Sequence, residues 1–238
     1  MRAAGPTPEE APVTISETLA EFVTGTGYDD LPPLAIKHAK VIIASTLASA
    51  AMGRDIGSTA IFRDLAKERG GTPEAALWFD GGPNVPVMDA ARVNAIMSDA
   101  AASDDTDLAG SGHLGTVTST AALTMAERCG ASTRDVLAAI VLGYDVANRL
   151  GRRTNYGQLG FHAGVNTIFG ATVAAAKVMG LAPKETAHAL SLAATSIDMG
   201  WPTLTSSGET ARRTLPCPCA PRMTASARPS RVSGTATD

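Results

Sequence analysis

Proton chemistry needs groups that hold and release a proton near neutral pH, and one stretch of this chain concentrates them. Residues 98–107 read Ser-Asp-Ala-Ala-Ala-Ser-Asp-Asp-Thr-Asp, and His113 follows between Gly112 and Leu114. Asp99, Asp104, Asp105 and Asp107 thus crowd toward an imidazole in a polar break between two alanine-rich segments. An imidazole titrates near pH ~6.5 and serves as base or acid. A neighbouring carboxylate orients it better than it meets an anionic substrate, because like charges repel. The Thr106 hydroxyl can hydrogen-bond a substrate carboxylate. The bland alternative is helix capping, which favours the same residue types. On residue types alone both readings stay open.

A second imidazole, His162, follows Gly160-Phe161, where it opens a helix as a solvent-facing cap or faces the same site. His38 and His188 sit in amphipathic patterns and read as ordinary surface residues. Arg149, Arg152 and Arg153 are the nearest cations in sequence, with Arg212 and Arg213 next. Asp145 and Arg149, four apart, read as a helical ion pair. Tyr144 belongs to an apolar stripe, with a hydrogen-bonded tip.

The elements that must position these groups are helices. Thr14-Ile15-Ser16-Glu17 is a capping box opening a helix that ends near Gly25. Pro32-Pro33 opens a longer one, closing near Gly53. Residues 58–69 form a third, stopped by Gly70. Ala75–Phe79 and Val85–Val87 suggest a short hairpin. Helical pattern resumes from Asp89 to about Ala101. Beyond the polar break, Thr118 or Ser119 caps a helix that Gly130 ends. Ser132 or Thr133 caps the next, with Val136, Leu137, Ile140, Val141 and Tyr144 on one face. A helix over Val165–Met179 carries Gly170, Ala171, Ala174 and Ala175, small enough for close approach by a neighbour. Pro183 sits in the first turn of the last helix, through Ala194.

Composition agrees. Of 238 residues 45% are hydrophobic but only 4% aromatic, which favours helices packed through small side chains over a sheet. The net charge of −3 offers no footprint for nucleic acid. No uninterrupted apolar run reaches the ~18 residues of a membrane span, and Met1–Pro6 has no export pattern. Three cysteines, with Cys217 and Cys219 two apart, make neither a disulfide framework nor a zinc site. A cytoplasmic protein is expected. Residues 1–13 read as a disordered N-terminus, 14–212 as a helical domain, and 213–238 as a disordered Ser/Thr/Arg/Pro tail. The tail's abrupt onset suggests a shifted reading frame or a premature end.

Several of these motifs together resemble the MmgE/PrpD family. The run from Asn94 to Thr106 is similar to the family's Asn-Gly-x-x-x-His-x-x-Asp-Phe-Asp-Asp-Thr hallmark, and His113-Leu114-Gly115 to the His-Pro-Gly or His-Ala-Gly that follows. Gly143-Tyr144-Asp145-Val146, Arg149-Leu150-Gly151, Gly160-Phe161-His162 and the Ala-rich helix ending at Gly180-Leu181 match in order and spacing. The resemblance spans about residues 14–212. It implies an all-α fold, a large helical-bundle domain, here lacking most of a smaller α+β domain. It also implies 2-methylcitrate dehydratase, cis-aconitate decarboxylase or epimerase chemistry on a small polycarboxylate, without metal or organic cofactor, in a homodimer. His113, His162, Asp104 and Asp105 would be catalytic, and Thr106 and Arg212 would bind substrate.

The departures are specific. The family's usual histidine falls on Asp99, and the aspartate before Phe-Asp-Asp falls on Ala102. The lysine expected after the last helix falls near Arg212, and no lysine follows Lys184. The competing expectation is therefore a non-catalytic helical fragment that packs against a partner.

Overall fold

The computed structural model describes residues 13–107, 112–154 and 163–197. The expected disorder of residues 1–12 and of the tail, and the positions of His162 and Arg212, lie outside the described residues. Among these, eight α-helices follow one another: α1 (Ile15–Gly25), α2 (Pro33–Gly53), α3 (Gly57–Arg69), α4 (Val87–Asp99), α5 (Leu114–Cys129), α6 (Thr133–Arg153), α7 (Thr167–Met179) and α8 (Pro183–Thr195). The all-α expectation holds.

Local chemistry sets most of the boundaries. The Glu17 amide donates to Thr14 Oγ1 at 3.2 Å and the Thr14 amide to Glu17 Oε2 at 2.8 Å. Ser132 and Asp135 repeat this box at α6, at 3.2 and 3.1 Å. Each satisfies two of the amides that a helix start leaves without intrahelical partners. Pro33 and Pro183 occupy first turns, where a missing N–H is harmless.

Packing then joins the helices. The α6 stripe of Val136, Leu137 and Ile140 is buried against Ile36 and Ala39 of α2, Ala122 of α5, and Ala174 and Val178 of α7. Each large aliphatic residue contributes about 1.5–3 kcal/mol by such burial. Small residues bring α6 and α7 together: a Cβ on Gly143 would lie 2.6 Å from the Gly170 carbonyl oxygen. A second cluster joins Ala50, Ala66, Leu77, Val85, Val93 and Met97, and a third joins Val23, Leu142, Val146, Val173 and Leu190. By length and a mean hydropathy of 1.3, α2 could cross a membrane; it packs against α4, α5 and α6.

Three expectations need correction. The hairpin reduces to one antiparallel bridge, Ala75 with Val85. Pro83 and Pro86 have no N–H to donate, and side chains take the next strand groups: Glu127 accepts from the Ala76 amide at 2.6 Å, and Asn94 bonds Ala76 O and the Trp78 amide at 3.0 Å each. Helix α5 starts at Leu114, a full turn before Thr118, whose buried hydroxyl instead donates to Leu114 O at 2.6 Å. A 3-10 turn, Ala163–Asn166, precedes α7, so the helix proper begins at Thr167 rather than Val165.

Candidate functional site

Helix α4 delivers the chain to the acidic loop. Asn94 is buried and clamps the 76–78 segment, and Ser98 Oγ donates to Asn94 O at 2.8 Å, so these two polar residues stay within the scaffold. After Asp99 the chain turns through Ala102 at φ +49°, a left-handed conformation that L-residues other than Asn, Asp and Gly rarely adopt. Ser103 Oγ then donates to Ser49 Oγ on α2 at 3.1 Å, pinning the loop.

Asp105 supplies the cap that α5 lacks locally. Its Oδ2 accepts from the Gly115 amide and its Oδ1 from the Thr116 amide, both at 3.0 Å. These amides have no intrahelical partner at the helix N-terminus, where a carboxylate also meets the positive end of the dipole. The fit requires glycine: a Cβ on residue 115 would lie 2.5 Å from Asp105 Oδ1 and 2.6 Å from Ile42 Cγ2.

Asp104 faces the imidazole instead. His113 Nδ1 stands 3.2 Å from Asp104 Oδ2 and 2.8 Å from the Asp105 carbonyl oxygen. A carbonyl only accepts, so Nδ1 carries a proton, and Nε2 is the nitrogen that can act as base when the ring is neutral. The Asp104 side chain is only 3% exposed and the His113 ring 48%. Burial pushes the Asp104 carboxyl up, while the imidazole and the Thr116 hydroxyl, 3.3 Å away, pull it back less strongly. A buried carboxylate holding a half-exposed imidazole by Nδ1 can orient that ring for proton transfer.

Beside the loop runs a cleft of about 610 Å³ between α2 and α6. Tyr144, Asn148 and Arg152, spaced four apart on α6, line it, with His38 and Ile42 from α2. Tyr144 Oη donates to Asp105 Oδ2 at 3.4 Å and Asn148 Nδ2 to Asp107 Oδ2 at 2.5 Å. Burial, reinforced by the Asp105 and Asp107 charges, raises the Tyr144 pKa and keeps the phenol protonated. Arg149 is held by Asp145 at 2.7 Å, the ion pair its spacing predicts.

Of the residues singled out from sequence, Asp104, Asp105 and His113 meet directly, and Thr106 lies exposed on the same loop. Capping and histidine orientation are not alternatives here, since neighbouring aspartates divide the two tasks. Sequence reasoning assigned Tyr144 to the apolar stripe and His38 to ordinary surface, and did not single out Asn148. His38 is exposed, yet it lines the cleft. The 144–148–152 spacing is the available signal, because it continues the edge of the apolar stripe with three hydrogen-bond donors in one row. Among the described residues, no three histidine, cysteine or carboxylate groups cluster as metal ligands. The family model for the MmgE/PrpD N-terminal domain matches residues 17–216 of the chain. Comparison with curated proteins finds no match.

Proposed function

Because the chain belongs to the MmgE/PrpD family, we propose that it is a lyase of small polycarboxylates, with dehydration of 2-methylcitrate as the leading reaction. The observation that carries this reading is the His113 ring, tethered at Nδ1 by Asp104 and the Asp105 carbonyl, which leaves Nε2 to act as the base. In the dehydration Nε2 takes a proton from carbon, and the C–H electron pair becomes the double bond. The hydroxyl departs with a proton from an acid, so that water leaves. His162 is that acid, and Thr106 and Arg212 hold substrate carboxylates, assignments that rest on sequence resemblance alone. Neither metal nor organic cofactor enters the scheme. Decarboxylation or epimerisation of a related acid would use the same proton transfer. The homodimer and the cytoplasmic location belong to the same reading.

The test is turnover of 2-methylcitrate and of cis-aconitate by the purified chain. Loss of a positioned general base lowers turnover by about 10²–10⁴-fold, so His113→Ala should fall by that factor. A parent protein with no turnover above the His113→Ala level overturns the lyase reading.

A further inference from the structure

We infer that the cleft between α2 and α6 is a carboxylate-binding subsite, in which Arg152 grips one end of an anionic substrate and His38 contributes from the α2 wall. The substrate class rests on the lyase reading; the location of the subsite rests on the cleft itself. A volume of about 610 Å³ lies within the ~300–1,000 Å³ typical of small-molecule pockets. Ile42, Ile140 and Val141 supply apolar wall, while Arg152 and His38 are exposed, so an anion entering from solvent meets a charge-assisted partner directly.

The charges in the cleft are already sorted. Among the described lining residues Asp145 is the one carboxylate, and Arg149 is bonded to it at 2.7 Å. Of the loop acids behind the wall, Asp105 accepts from the α5 amides and the Tyr144 phenol, and Asp107 accepts from Asn148. Each donor is thus spent on an acid of the protein, one turn after another along α6. Arg152 is the next residue of that row, and among the described residues no carboxylate pairs with it. A guanidinium left over at this cleft matches a carboxylate in two-point geometry, which a lysine ammonium cannot reproduce.

The test is calorimetric titration of the full 238-residue chain with tricarballylate, a tricarboxylate with no hydroxyl to eliminate. Losing one charge-assisted contact corresponds to roughly a tenfold rise in Kd. Arg152→Gln should show that rise with unchanged helicity, Arg152→Lys a smaller rise, and His38→Gln a rise of a few-fold. His113→Ala should leave Kd within about twofold while lowering turnover by about 10²–10⁴-fold. Arg152→Gln binding tricarballylate like the parent overturns the subsite, as does a parent that binds none at millimolar concentration. Binding that depends on Arg152 in a parent without turnover would overturn the lyase reading and leave the subsite standing.

Discussion

The carboxylate of Asp105 reaches ten positions along the chain to the amide of Gly115, at 3.0 Å, and closes the start of α5. The loop that carries the acids is therefore also the loop that starts the helix behind His113. Any side chain at residue 115 must displace that carboxylate or Ile42. Gly115→Ala should destabilise the protein by about 2–3 kcal/mol, combining overpacking with a lost cap. Urea unfolding of the two proteins measures it; a change below about 0.5 kcal/mol would mean the loop yields freely.

Ala102 turns the loop at φ +49°, a conformation that costs an alanine about 1–2 kcal/mol. Glycine removes the strain but adds freedom to the unfolded chain. Ala102→Gly should still raise stability, by about 0.5–1 kcal/mol, with the urea m-value unchanged. A loss of stability would show that the methyl group packs usefully.

Asp104 has an unusual pH signature. Its folded pKa lies above the ordinary 3.8, so the folded state binds its proton more tightly than the unfolded chain does. Its contribution to stability is fully present below pH ~3.8 and fades as pH rises through the raised folded value. Asp104→Asn removes this contribution, so the variant's stability relative to the parent should improve as pH is raised from about 3 toward neutrality. Unfolding curves across that range check the sign, and a difference independent of pH would contradict it.

Asp135 behaves in the opposite way. The Ser132 hydroxyl and amide hold its carboxyl below the usual range, so its contribution is present above pH ~3.8 and is lost as pH falls through the lowered value. Ser132→Ala should remove about 1 kcal/mol at pH 7 and less at pH 2. Equal losses at both values would separate the cap from the charge.

Lys177 on α7 donates to Val23 O at 2.9 Å and Thr24 O at 3.3 Å, closing the C-terminal end of α1. Replacing it with methionine keeps much of the apolar stem and drops the charge. Lys177→Met should destabilise by about 1 kcal/mol, with hydrogen exchange quickening first in α1. Uniform quickening across all helices would assign Lys177 to the global core instead.

What could be read directly from the sequence was whatever is settled within a few residues. The capping box at Thr14, a cap at Ser132 or Thr133, the prolines at 33 and 183, and the α6 stripe act over three or four positions, so the helices and the all-α class followed from them. The linked motifs from Asn94 to Leu181 were enough for the family. Tertiary structure decided the rest, because those bonds join distant positions: Asp105 to the α5 amides ten and eleven residues on, Tyr144 to Asp105 across thirty-nine, and Asn148 to Asp107 across forty-one. Residue types could say that an acidic loop caps or orients. Only the approach of α4, α5 and α6 could assign capping to Asp105 and the imidazole to Asp104, since a carboxylate bonds whichever donor packing brings within about 3 Å.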